Sequence, residues 1–240
     1  MDNSILLDKD SLICLWDFSA TEPFRSKSKY PYTLIPHGDV SIDDKCVSLA
    51  EGQYLSIPRK DCDALNINGK DAQLTVMAWI KRQPKSFVQC EAIAGMWNET
   101  EKQRQYCLFL NLRLFDSADQ VCGHVSAVGG PTPGQKWCID ASIGQTAVVY
   151  NEWTFVAFTY DGFEAKSYYN GRLDSRSLHN PYSYDHGIFD AGTQGSDFTV
   201  GAVHRLGEMG NDFVGDIARL AVFDKALTDV EMERIFTSYF

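Results

Sequence analysis

At 240 residues the chain has a length that an all-β sandwich takes as one unit, and an aromatic content of 12% supplies a native-sized core without metal or disulfide staples. A formal net charge of −10 repels phosphate backbones and anionic bilayer surfaces, so neither nucleic acid nor membrane is an expected partner. The longest apolar runs, Leu74–Ile80 and Phe155–Phe158 among them, are strand-length and far short of the roughly 20 residues that span a bilayer.

The first ten residues carry neither the basic region nor the long apolar run of a secretory leader. This predicts a cytoplasmic protein, or a secreted one that has been processed or truncated. Short runs rich in aromatic and β-branched residues, separated by turn formers, then predict strands at 12–18, 45–49, 53–57, 74–82, 90–97, 105–112, 122–127, 153–160, 165–170, 198–203 and 215–223. No helical pattern of ten or more residues recurs between them, which excludes a βαβ architecture. Asp161-Gly162 and Asn170-Gly171 are hairpin signals, because Asn-Gly supplies the positive φ that a type I′ turn needs at both central positions. Residues 180–197, rich in Tyr, His, Asp and Gly without a period, read as a long surface loop. Thr228 and Glu231 form a capping box that starts one short helix, at about 229–238. With no repeat, linker or low-complexity tract, residues 1–240 read as a single domain.

Seven cysteines, Cys14, Cys46, Cys62, Cys90, Cys107, Cys122 and Cys138, include no C-x-x-C pair. Cys14, Cys107 and Cys122 lie in or beside apolar strand patterns, where cysteine behaves as a small hydrophobe. Reduced structural thiols are expected, with a Cys107–Cys122 disulfide as the alternative.

Asn151–Gly162 (NEWTFVAFTYDG) followed by Tyr168–Leu173 (YYNGRL) resembles the strand, turn and strand of laminin-G-like jelly rolls. Phe213–Thr228 (FVGDIARLAVFDKALT) with Glu231 beyond is similar to that family's closing strand and helix. Val47–Ile57 and Leu74–Ile80 match in order and spacing, so the likeness covers nearly the whole chain. It implies an all-β fold, a two-sheet antiparallel sandwich of the concanavalin A-like jelly-roll type with one short C-terminal helix. It is weak for function, because this fold hosts lectins, glycosidases, lyases and adhesion modules. Calcium, which many members bind through carboxylates of an "F-D-G" turn and an "I-D-E" strand, meets Leu49-Ala50-Glu51 and Ile217-Ala218-Arg219 here. No cofactor is therefore expected, with calcium retained only if Glu51, Asp216 and backbone carbonyls stand in. The "E-x-D-x-x-E" string of laminarinase-like glycosidases is absent; Glu99 and Glu101 sit in the polar stretch Asn98–Gln103, which reads as a solvated hairpin loop.

The resemblance implies an oligo- or polysaccharide partner, and one group of residues has the right inventory for it. Sugars are held by aromatic faces against C–H patches and by polar groups that pair with hydroxyls. Trp97, Asn98, Arg104, Tyr106, His124, His204 and Arg205 fall on or at the ends of strands that adjoin in a jelly roll, and Tyr182 and Tyr184 sit on the long loop. Tyr106 also alternates with Leu108 and Leu110, which on strict period 2 gives it their buried face. Gly129–Gly134 reads as a rim loop and not a phosphate cradle, and Met209–Asn211 as a second rim. No run of basic residues marks a patch for a strongly anionic glycan, so neutral or weakly charged sugars are the expected class. The leading expectation is a noncatalytic, lectin-like module with no catalytic residues. The alternatives are a polysaccharide-active enzyme, such as a glycosidase or a lyase using Tyr106 or His124 as base with Arg104 on a uronate, and a protein–protein interaction module.

Overall fold

The computed structural model describes residues 8–19, 21–43 and 45–238; the reading of the N-terminus falls largely on residues 1–7, outside the described residues. The first half of the chain forms β1 (Leu12–Trp16), β2 (Ile35–His37), β3 (Ser41–Asp43), β4 (Cys46–Leu49), β5 (Tyr54–Ile57), β6 (Leu74–Arg82), β7 (Glu91–Asn98), β8 (Gln103–Leu110) and β9 (Gln120–Val125). The second half forms β10 (Ala141–Ala147), β11 (Trp153–Tyr160), β12 (Glu164–Tyr169), β13 (Arg172–Leu173), β14 (Tyr182–Ser183), β15 (Phe198–Val200), β16 (Val203–Arg205), β17 (Glu208–Gly210), β18 (Gly215–Phe223) and the helix α1 (Asp229–Ser238).

Two sheets result. The first runs β13-β12-β11-β6-β18-β4-β3, with β1 also on β18 and β14 also on β12; the second runs β10-β9-β8-β7-β15-β5-β2, with β16 beside β7 and β17 on β16. Among the described residues pairing is antiparallel except for one parallel bridge, His204 to Asn98. This is the two-sheet antiparallel sandwich expected from the sequence. The Asn170-Gly171 turn has φ of 48° and 76° and joins Tyr169 to Arg172 in register, as a type I′ turn requires. Asp161 caps the preceding turn by accepting the amides of Phe163 and Glu164. At α1 the capping box forms: Glu231 Oε2 accepts the Thr228 amide at 2.7 Å and Thr228 Oγ1 accepts the Glu231 amide at 3.3 Å.

The inward faces of both sheets build one apolar layer that includes Trp16, Val76, Tyr106, Leu108, Phe158 and Phe198. A second cluster lies outside the first sheet, where Met232 and Ile235 of α1 cover Met77, Trp79 and Phe155. A third lies outside the second sheet, where Trp97, Cys107, Phe109, Cys122 and Ile143 form an apolar floor beneath loops. No helix among the described residues is long and apolar enough to cross a membrane.

Gly123 sets the distance between the sheets behind that floor. It faces inward on β9, and a Cβ there would lie 2.4 Å from Cδ2 of Phe158. Next to it, Ser142 Oγ and Ser167 Oγ meet at 2.8 Å from opposite sheets. Gly123→Ala is therefore expected to destabilise the fold by about 1–3 kcal/mol through overpacking, measured by urea denaturation. Adding Phe158→Leu should recover part of the loss, and a fully stable Gly123→Ala single variant would contradict this account of the close approach.

Cys14, Cys62, Cys90, Cys107, Cys122 and Cys138 are free thiols, as expected, and the alternative Cys107–Cys122 bridge is not formed. Register explains it: Cys107 pairs with His124 and Cys122 with Phe109, so the two thiols sit diagonally on neighbouring strands.

Candidate functional site

An irregularity in the pairing of β7 with β8 decides which side chains reach the outer face of the second sheet. From Leu110 to Tyr106, β8 alternates, with Leu110, Leu108 and Tyr106 in the inter-sheet core and Phe109 and Cys107 outside. The register then slips, Met96 pairing with Tyr106 but Trp97 with Arg104. Gln105 is the extra residue of a bulge. Its Nε2 donates to Asn66 Oδ1 at 2.9 Å, while the Tyr106 hydroxyl donates to Leu65 O at 2.7 Å. Beyond the bulge, Arg104 and Trp97 stand together on the outer side.

There they border a cleft of about 280 Å³ whose walls include Trp97, Arg104, His124, Trp137, Arg205 and Asn211. Its floor is aromatic. The Trp97 and His124 rings lie 4.7 Å apart, and Phe109 meets both edge-on at 5.8 and 5.6 Å. The Arg104 guanidinium is 5.8 Å from the Trp97 ring centre. Trp97 is buried, whereas Trp137 is 48% exposed and is the indole presented to solvent, with Lys136 Nζ 4.8 Å from its ring centre.

Glu99 ties the walls together. Its Oε1 accepts from Trp97 Nε1 and Asn211 Nδ2, both at 3.3 Å, and its Oε2 lies 3.8 Å from Arg104 Nη2. Arg104 also donates to Gly129 O at 3.2 Å. His124 Nδ1 is 3.0 Å from Asp140 O; a carbonyl only accepts, so Nδ1 carries the proton and Nε2 the lone pair. Burial pushes this imidazole down to about 3, helped by the nearby Arg104 charge, so it is neutral at physiological pH. Cys90 and Cys138 also border the cleft, but burial pushes their thiols up to about 12 and about 11. They are not thiolate nucleophiles at neutral pH.

Of the sequence-based candidates, Trp97, Arg104, His124 and Arg205 border this cleft. Asn98 and His204 lie beside it on the bridged strands β7 and β16, with Asn98 Oδ1 accepting the Glu101 amide at 2.9 Å as a turn cap. Tyr106 does not reach the cleft. Its ring is fully buried between the sheets, where period 2 from Leu108 and Leu110 puts it, and it cannot serve as a lyase base. Tyr182 and Tyr184 do not reach it either. The Tyr182 hydroxyl bonds Asp140 Oδ1 at 3.0 Å, and the Tyr184 hydroxyl accepts the Ala127 amide at 2.8 Å, so both pin their loop to the body. Glu99 corrects a second expectation: its segment is the β7–β8 hairpin loop, but its carboxylate folds back onto Trp97 instead of facing water. Trp137 and Arg113 escaped notice because they sit in irregular connections, where no period marks the side that a residue faces. Asn211 is part of the second rim expected at Met209–Asn211.

No group of three or more His, Cys, Asp or Glu that could hold a metal ion occurs among the described residues. The two carboxylates considered for calcium are engaged elsewhere. Glu51 accepts from the amide and hydroxyl of Ser86 at 2.6 and 2.7 Å, and Asp216 accepts from Ser48 Oγ at 2.6 Å. The residues at those positions do not fit a six- to eight-oxygen shell.

Two antiparallel sheets with a helix packed outside one and a cleft outside the other define the jelly-roll class. The chain belongs to the concanavalin A-like lectin/glucanases superfamily, whose laminin G family model matches residues 49–232. Among solved structures it is similar to the binding domain of botulinum neurotoxin DC in complex with rat synaptotagmin II, with a TM-score of 0.65 and 14% identity over 97% of this chain and 52% of that one. It is also similar to botulinum neurotoxin type C, which depends on interaction with two ganglioside molecules to enter cells (TM-score 0.60, 13% identity, 97% and 52% covered). A third is domain 4 of AbnA, a GH43 extracellular arabinanase from Geobacillus stearothermophilus, in complex with arabinotriose (TM-score 0.57, 15% identity, 93% and 97% covered). The chain spans about half the length of the two neurotoxin chains. At these identities the likeness is one of fold. No curated protein matches the sequence.

Proposed function

We propose that this chain is a glycan-binding module, acting as one domain, that holds a sugar in the cleft outside its second sheet. The observation that carries the reading is the composition of that cleft: one half-exposed indole, Trp137, beside guanidinium, amide and imidazole groups on a buried aromatic floor. An indole face suits the C–H patch of a pyranose, and planar polar groups suit its vicinal hydroxyls. The arabinotriose complex of a relative in fold supports this choice of ligand class. A lyase reading is weaker, because the Tyr106 hydroxyl is buried on Leu65 O and His124 is a poor base with its proton affinity so far reduced.

Binding to an array of plant, bacterial and animal oligosaccharides tests the proposal. The native chain is expected to retain a defined glycan class, and Trp137→Ala to weaken that binding by about tenfold or more with unchanged thermal stability. Absence of binding across the array, or full affinity in Trp137→Ala, would count against the cleft as a sugar site.

A further inference from the structure

The charge of the cleft runs against the charge of the molecule. The chain carries a formal net charge of −10, yet the cleft is bordered by three arginines, Arg104, Arg113 and Arg205, and by one carboxylate, Glu99. The arginines come from β8, from the connection after it and from β16, so no basic run announces them in the sequence. Glu99 is already committed to Trp97, Asn211 and Arg104. Arg113 uses Nε on Asn111 Oδ1 at 3.2 Å, and neither Arg113 nor Arg205 forms an ion pair with a carboxylate among the described residues. Two guanidinium groups therefore enter the cleft without a counter-charge. Arginine presents its donors in a planar fork that matches a carboxylate.

Open acceptors stand beside these donors. Asn211 is 2% exposed; its amino group faces Glu99, which leaves Oδ1 buried and without a partner. His124 holds its proton on Nδ1 against Asp140 O, leaving the Nε2 lone pair. A bare anion such as sulfate would answer the arginines but offers no hydroxyl donors to Asn211 and His124, and no apolar face to Trp137. A ligand that carries a carboxylate and neighbouring hydroxyls on one ring answers all of them.

We propose that the ligand of this cleft is an acidic sugar, a carboxylate-bearing residue whose charge is read by Arg113 and Arg205 while its hydroxyls meet Asn211 and His124. This rests on the glycan-binding reading and narrows the expectation of a neutral or weakly charged sugar to one that carries a carboxylate. Two sources share that chemistry: uronic acids within a polysaccharide and sialic acids at a glycan terminus.

Calorimetric titration of the full chain with oligogalacturonate and with sialyllactose, each beside its carboxyl-reduced neutral counterpart, separates the outcomes. At least one acid is expected to bind about tenfold tighter than its reduced form, and the acid that does so identifies the source. The preference should shrink as salt rises. Arg113→Gln with Arg205→Gln should bring the acid and its reduced form within about twofold of each other, at unchanged melting temperature, and Arg205→Lys should keep part of the preference because it keeps the charge. A neutral form that binds as tightly as its acid, or a preference that survives the double substitution, overturns the charge assignment and leaves the glycan reading standing. No binding by any of these probes overturns the acidic-sugar proposal, and if the oligosaccharide array is also silent the glycan reading falls with it.

Discussion

Arg82→Met is expected to remove about 3–5 kcal/mol of stability, because it strands a buried carboxylate. Arg82 is the last residue of β6 and is fully buried. Its Nε and Nη2 donate to the two oxygens of Glu91 at 2.8 and 2.7 Å, and Nη2 also reaches Asp119 Oδ1 at 2.7 Å. Its Nη1 donates to Val148 O at 3.0 Å, and its guanidinium lies 4.4 Å from the Tyr150 ring centre. One side chain thus joins the first sheet to β7 of the second and to the connections on either side of β9 and β10. Glu91 is itself only 1% exposed, and once Arg82 is replaced its remaining cationic neighbour is Lys85, with Nζ at 3.9 Å. The double variant Arg82→Met/Glu91→Leu should recover most of the loss, since an apolar pair of similar volume replaces buried ions at little or no cost. Urea denaturation of the two variants decides it. A single variant within 1 kcal/mol of the native chain, an order-of-magnitude threshold for an ordinary substitution, would sink the claim that this pair is a cross-sheet tie.

The frame of the sandwich was legible because its signals are local. The runs of aromatic and β-branched residues in β6, β11 and β18, the Asn170-Gly171 turn and the Thr228–Glu231 box each depend on neighbours in sequence, and each appears at its expected place. The strand β10 (ASIGQTA) escaped that reading for a physical reason. It packs closely across the sandwich, with Ser142 against Ser167 and Gly144 against Asp174, so these inward positions hold small residues in place of the large apolar ones that signal a strand. The cleft was half legible. Trp97, Arg104 and His124 stood out as polar or aromatic groups on strands, but Arg104 reaches the outer face only because the Gln105 bulge resets the alternation, and a bulge has no sequence signature of its own. Glu99, Arg113 and Trp137 depend on loop conformations that bring distant segments together, and those are tertiary facts.

His124 makes the cleft a source of acid sensitivity. Its folded-state pKa lies near 3, driven down first by burial and then by Arg104, against about 6.5 for an unfolded histidine. Between those values the unfolded chain takes up a proton that the native chain refuses, so protonation favours unfolding. The stabilisation is complete above pH 6.5 and is lost as pH falls towards 3, at up to about 1.4 kcal/mol per pH unit. His124→Asn, whose amide can still donate to Asp140 O, should be less stable than the native chain at pH 8 but show a flatter decline from pH 6.5 to 5. The chain has five histidines, and the other four are shared by both proteins and cancel in the comparison. Urea midpoints measured across that window test it, and parallel slopes for the two proteins would show that His124 is not held neutral by the fold. The same proton would occupy Nε2, the lone pair offered to a sugar hydroxyl, and would set a second positive charge beside Arg104. Loss of that acceptor at low pH is therefore expected to accompany the loss of stability, both following from one imidazole kept dry at the floor of the cleft.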